Sequence, residues 1–339
     1  MKKRIFLSST LLMALSTSIY AADTPTSEEP EQAAPKVYGQ LNVQHEKLNN
    51  GKDSGTRVGR ASLGVKGPLE YGNLKINYNL EAEFADVANT NAEGDNKEVR
   101  VRTAMITVPT KSKGTFLAGT GYSGQRADLY GHLDIFDNVE VYNPKSGTYS
   151  MSSSLTAQSP YSPGVLAYKT PAFKDIYAVG ALVSAKDDNG KSTDATLARL
   201  IYKKDKVLLG AGITNTNKSA VSTTATKDYV RTALAANYSA DKWQLGTTYE
   251  NNKDHPTGDF TVLGVAGAYK VTPKATAKLG YFKKDHDVNT LNNKAIISNV
   301  SYALGNSPKQ GKSAKLYIEN EKHDIKANNK TTIGLALKF

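Results

Sequence analysis

The sequence predicts an all-β protein, a transmembrane antiparallel β-barrel of about sixteen strands, on three observations. From Lys36 to Phe339 the chain is a series of segments, each ~8–13 residues long, in which apolar and polar residues alternate. Alternation at period two gives each strand one apolar and one polar face. The connections between segments are of two kinds that alternate strictly, short turns and longer polar loops. Beyond its first residues the chain has no apolar run near the ~18–20 residues that a membrane-spanning helix needs.

Residues 1–21 carry Lys2, Lys3 and Arg4, an apolar run from Ile5 through Leu15, and small residues from Ser16 to Ala21. That three-part plan is a secretory signal peptide, and the mature chain is expected to start at Ala22. Losing three of the 43 cations leaves 40 against 32 acids, a mature net charge of about +8. The chain has no cysteine, which excludes a disulfide-stapled secreted fold and thiolate chemistry. Residues 22–35, ADTPTSEEPEQAAP, hold three prolines and four acids without an aromatic, and read as a flexible leader that buries too little to offset its ordering entropy.

The strands follow at roughly 36–48, 57–67, 73–85, 97–109, 114–122, 163–170, 175–186, 193–203, 206–216, 227–239, 242–252, 259–272, 274–286, 293–305, 312–324 and 330–339. In NLKINYNLEAEF, Leu74, Ile76, Tyr78, Leu80, Ala82 and Phe84 share one face while Lys75, Asn77, Asn79, Glu81 and Glu83 take the other. In the last segment Ile333, Leu335, Leu337 and Phe339 alternate with Thr332, Gly334, Ala336 and Lys338. PLEYG, TKSKG, PAFKD, KKDK, SADK, VTPK and NSPKQGK are the tight turns; NGKDSG, DVANTNAEGDN and TNKSAVSTTAT are of the longer kind. A soluble β-sandwich also alternates. It does not account for an export signal, sixteen strands and a terminal aromatic together, whereas a closed barrel satisfies every backbone group without an edge. Tyr71, Tyr238, Tyr249, Tyr269 and Tyr302 stand near strand ends, where a headgroup-level girdle sits.

One connection departs from the rule. GQRADLYGHLDIFDNVEVYNPKSGTYSMSSSLTAQSPYS, within about 123–162, is far beyond the usual loop length, and loops of that length tend to be functional. Its middle is acidic, with Asp128, Asp134, Asp137 and Glu140, and its far half is rich in Ser, Thr and Tyr. On the strands, Arg100 and Arg102 fall on one face of the fourth, opposite Val99 and Val101, and Arg60 shares the polar face of the second with Ser62, Gly64 and Lys66. Charges at bilayer depth must point inward. The histidines His45, His132, His255, His286 and His323 have neither metal-ligand spacing nor a partner serine, so no metal, cofactor or enzymatic activity is expected. The basic residues form no single patch, which argues against nucleic acid and leaves anionic solutes and lipopolysaccharide as the partners suited to the positive balance.

The stretch VGRASLGVKGPLEYGNLKINYNLEAEF resembles the second and third strands of the Gram-negative general porins, the trimeric sixteen-stranded diffusion channels of the outer membrane. RVRTAMITVPTKSKGTFLAGTGY is similar to their fourth and fifth strands, and VLAYKTPAFKDIYAVGALVS to their sixth and seventh. The resemblance implies a water-filled channel for passive diffusion of small hydrophilic solutes and ions, assembled as a homotrimer. It identifies the long loop as the one that folds into the lumen, Phe339 as the assembly signal, Asp134 and Asp137 as constriction-loop acids and Arg102 as the fourth-strand arginine of the opposing basic wall; Asp128 and Glu140 are the further acids of that loop, and Arg60 and Arg100 the further wall candidates by the face they occupy. Thr120 in GTGY stands where many relatives carry an arginine, and the Pro-Glu-Phe-Gly-Gly segment of the enterobacterial loop is missing. A substrate-specific channel and a structural or adhesive surface barrel are the alternative readings.

Overall fold

Strands with one apolar face and unpaired backbone at both edges are stable in a bilayer only when the sheet closes on itself. In the computed structural model it does. The structure describes residues 34–48, 54–84, 99–110, 112–138, 155–159, 161–184, 193–221, 225–307 and 312–339. The signal segment 1–21, the leader up to residue 33 and Glu140 lie outside the described residues.

Sixteen strands form one closed antiparallel barrel: β1 (Lys36–Leu48), β2 (Gly55–Tyr71), β3 (Leu74–Glu83), β4 (Arg100–Thr110), β5 (Gly114–Tyr122), β6 (Tyr161–Lys169), β7 (Ile176–Val183), β8 (Ala195–Lys204), β9 (Val207–Thr216), β10 (Tyr229–Ser239), β11 (Trp243–Lys253), β12 (Phe260–Lys270), β13 (Ala275–His286), β14 (Asn293–Ser307), β15 (Lys312–His323) and β16 (Lys330–Lys338). Each pairs with its sequence neighbours, and β1 closes on β16 through the register Gln40↔Lys338 to Leu48↔Lys330. The expected turn PLEYG is shorter than the sequence suggests. β2 runs on through Pro68 to Tyr71, and the turn is Gly72–Asn73, with Gly72 at φ +58. Pairing of β2 with β1 ends at Lys66, so Pro68 stands at an edge, where strand proline is tolerated.

Polarity is inverted relative to a water-soluble fold. Leu80, Ile106 and Leu234 are 53%, 51% and 60% exposed on the outside, while their chain neighbours Glu81 and Ala235 are buried. Tyr71, Tyr238, Tyr249, Tyr269 and Tyr302 all face outward. The apolar cores lie inside the barrel and are made by the long loop. Leu129 and Tyr130 pack with Ile201, Ala233 and Ala235, Leu133, Phe136 and Leu155 with Ala266, Phe282, Ala295 and Ile297, and Ala157 with Phe260 and Val262. The described parts of the loop are therefore seated on the inner wall of β8–β14.

Candidate functional site

The loop leaves β5 at Ser123 and makes one helical turn over Arg126–Tyr130, which aims Leu129 and Tyr130 into the wall. The wall is recessed to receive it. A Cβ on Gly210 would lie 2.6 Å from Leu129, one on Gly264 2.6 Å from Leu133, and one on Gly280 2.6 Å from Phe136; Gly212 and Gly246 meet Leu129 and His132 in the same way. Glycines at inward positions of β9, β11, β12 and β13 thus form a groove in which the loop lies, the close-approach role of a strand glycine.

Polar groups fix the loop in that groove at three levels. Near its start, Asp128 pairs with Arg199 of β8 at 2.5 Å and accepts from Tyr177 at 3.1 Å. In the middle, Glu250 of β11, fully buried, accepts the Tyr130 hydroxyl at 2.5 Å and the Ala157 N–H at 3.0 Å, so one carboxylate holds both limbs of the loop. Arg231 of β10 donates to the Ala157 carbonyl at 2.9 Å and to Gln158 Oε1 at 2.7 Å. At the tip, Glu319 of β15 accepts the N–H groups of Asp137 and Asn138 at 2.8 and 3.1 Å. The Asn138 amide donates to Glu46 on β1 and to Thr332 on β16. Asp137 pairs with Lys278 at 2.7 Å and with Lys315. Burial opposes a charge on Asp137, but Lys278 and Lys315 outweigh it and hold the carboxyl below its usual range. Burial pushes His132 of the loop below the usual histidine range, partly opposed by the Thr247 carbonyl oxygen 3.0 Å from its Nε2.

On its other side the loop faces β1, β2 and β16 across a cavity of about 730 Å³. Arg60, Arg102, Asp134 and Asp137 line this cavity; Arg100 and Asp128 do not. Arg102 sits at a bulge of β4, with Thr103 paired to Glu81 and Val101 to Ala82, so Arg102 and Thr103 both turn inward and are buried. The guanidinium lies 3.4 Å from Glu83 and 3.7 Å from Glu81 and donates to the Tyr122 hydroxyl at 2.7 Å. Arg60 donates to the same hydroxyl. Arg100 is registered opposite Glu83 on the lumen face of β4. Asp134 pairs at 2.6 Å with Arg126 from the start of the loop.

Of the acids that line the cavity, Glu81 is therefore matched by Arg102, Asp134 by Arg126, and Asp137 by Lys315 together with Lys278. Lys36, Arg60, Lys66 and Lys338 line the same space and make no ion pair among the described residues. Sequence reasoning passed over Arg126, Arg199, Lys278, Lys315, Lys338, Glu250 and Glu319. Six of the seven are charged residues on the strand face opposite the apolar belt, the signal that singled out Arg102; Arg126 lies in the loop and carries no such mark.

A family model of the Gram-negative porins matches residues 8–320 of the chain. Solved structures of the same fold include Salmonella typhi OmpF in complex with daunomycin, 14% identical, with a TM-score of 0.72 over 90% of this chain and 97% of that one. An anion-selective porin from Comamonas acidovorans is 17% identical, with a TM-score of 0.64 over 90% and 98% of the two chains. In-vitro folded OmpT of Vibrio cholerae, in a trimer form, is 16% identical, with a TM-score of 0.60 over 90% and 98%. No curated relative matches the chain. The family match over most of the length, on a closed sixteen-stranded barrel, makes this chain a member of the Gram-negative porin family, a channel for passive diffusion across the outer membrane.

Proposed function

We propose that the channel is narrowed by the inward loop at 123–162 and prefers small anions. The observation that carries the preference is the balance inside the cavity: the lining side-chain carboxylates Glu81, Asp134 and Asp137 are each ion-paired, whereas Lys36, Arg60, Lys66 and Lys338 make no ion pair among the described residues. Uncompensated charge in a narrow, low-dielectric passage raises the local concentration of counter-ions and so selects by sign. Arg60, Arg100 and Arg102 form the basic wall, and Asp128, Asp134, Asp137 and Glu140 the acidic loop. Asp128, Asp134 and Asp137 act chiefly by holding the loop through their ion pairs, which leaves Arg60 and the lysines beside it to set the sign. That a structure of the same fold is an anion-selective porin supports the reading.

Passive diffusion asks nothing further of the chain: no catalytic group, cofactor or metal takes part. The assembly is a homotrimer, in line with the trimeric form of a similar structure. Residues 1–21 direct export, lipopolysaccharide surrounds the apolar belt, and Phe339 serves assembly. The test is the reversal potential of the purified, unboiled protein in a planar bilayer under a potassium chloride gradient. Anion preference is expected, with current steps closing in thirds; a cation-selective potential overturns the assignment of sign.

A further inference from the structure

One wall of the cavity alternates aromatic rings with guanidinium groups. The guanidinium of Arg126 lies 4.7 Å from the centroid of Tyr122, that of Arg102 5.3 Å from Tyr122 and 5.0 Å from Tyr161, and that of Arg60 6.0 Å from Tyr122. The rings of Tyr122 and Tyr161 are 5.0 Å apart. Arg102 is buried behind them with its carboxylates, while Arg60 and Arg126 remain half-buried at the cavity surface.

The Tyr122 hydroxyl is the centre of this wall. Its oxygen accepts from both Arg60 and Arg102, and a phenol has one proton to donate in addition. That proton has no acceptor among the described residues. Beside it, Arg60 spends Nε and Nη2 on the Gln40 amide oxygen and the Tyr122 hydroxyl, makes no ion pair among the described residues, and keeps Nη1 to donate. A hydroxyl donor and the Nη1 of a guanidinium that no carboxylate neutralises, held in place by the Tyr122 and Gln40 bonds, present a preorganised grip for one carboxylate. Tyr122, Tyr161 and Arg126 line the cavity beside that grip, and their rings and flat guanidinium face bind a second flat ring by stacking and cation–π attraction. A saturated or spherical anion uses the grip and leaves those faces unused.

We propose that Tyr122, Arg60 and Arg126 form a binding site for aromatic carboxylates within the channel. The carboxylate is held by the Tyr122 hydroxyl and Arg60, and the ring lies against Arg126 and Tyr161. This rests on the anion-preferring reading given above and adds a substrate class to it.

The test is block of chloride current through the folded, full-length channel by benzoate against cyclohexanecarboxylate. The two carry the same charge at similar size, and the saturated acid is the more hydrophobic, so nonspecific apolar binding favours it. Benzoate is expected to block at about fivefold lower concentration, the scale of one cation–π contact. Tyr122→Leu should abolish the difference; Tyr122→Phe, which keeps the ring and loses the donor, should weaken both blockers and keep their ratio. Equal block by the two acids in a channel that remains anion-selective overturns the aromatic site and leaves the anion reading standing. A cation-selective wild-type channel overturns both. The wild-type comparison decides the matter even where a variant fails to assemble.

Discussion

Glu250→Ala isolates the contribution of one carboxylate to the position of the loop. In the wild type Glu250 accepts the Tyr130 hydroxyl and the Ala157 N–H, on limbs of the loop that are far apart in sequence, and it accepts Asn252 Nδ2 at 2.9 Å as well. Hydrogen bonds to a charged group contribute about 1.5–3 kcal/mol each, so losing the two loop contacts destabilises the seated loop by about 3–5 kcal/mol. Asp128–Arg199 and the tip contacts remain, so the limb around Ala157 detaches first. At about 1.4 kcal/mol per tenfold, the detached population rises at least about a hundredfold. Single-channel recording reads this directly as new sub-conductance levels and added current noise, with Glu250→Gln intermediate because one acceptor oxygen survives. A Glu250→Ala channel with intact heat-modifiable mobility and wild-type noise would refute the claim that this carboxylate positions the loop.

Replacing Arg102 with Gln strips the countercharge from Glu81 and Glu83, and the reversal potential should move toward cations, further when Arg100 is replaced as well; an unchanged potential in the double variant removes both from the selectivity account. Gly212→Val places a side chain where Leu129 lies, at an overpacking cost of about 1–3 kcal/mol, and should raise conductance by lifting the loop; unchanged conductance would mean that the groove is not what seats it. His255, in the loop joining β11 and β12, accepts the Thr257 N–H on Nδ1, and burial, with His286 and Lys284 adding to it, pushes it down to about 4. Its unfolded value is ~6.5, so this loop keeps its full stability above that pH and loses up to ~3 kcal/mol as pH falls through about 4. Amide exchange of residues 254–259 measured across that range should follow this curve, and His255→Gln should flatten it.

The barrel was legible because its signal is repeated sixteen times. A single segment such as Leu74–Glu83 is weak evidence, but the same period recurring to Lys338 admits little else. The bulge at Arg102 was not legible, since alternation predicts one inward residue at a time and β4 turns two inward in succession. The inward arginines were therefore on the expected face, but the partners of Arg102 on β3 were not visible. The acids of the loop could be read as charges, while their counterparts Arg199, Lys278 and Lys315 stand some 70 to 180 residues away, a separation that only tertiary structure closes. The glycine groove left a trace in the sequence, single glycines at inward strand positions, but nothing there says what fills it.

The bridge made by Asn138 has a consequence for the order of folding. Its amide spans Glu46 on β1 and Thr332 on β16, across the seam where the first and last strands meet. Neither acceptor is in place relative to the other until that seam has closed, and the groove of β9 to β13 does not exist until those strands have paired. The loop is thus the last element able to reach its final position, although β5, from which it springs, comes early in the chain. Until the ends of the chain have met, the tip has only half of its holding site, so seating of the loop tip reports that the barrel is complete.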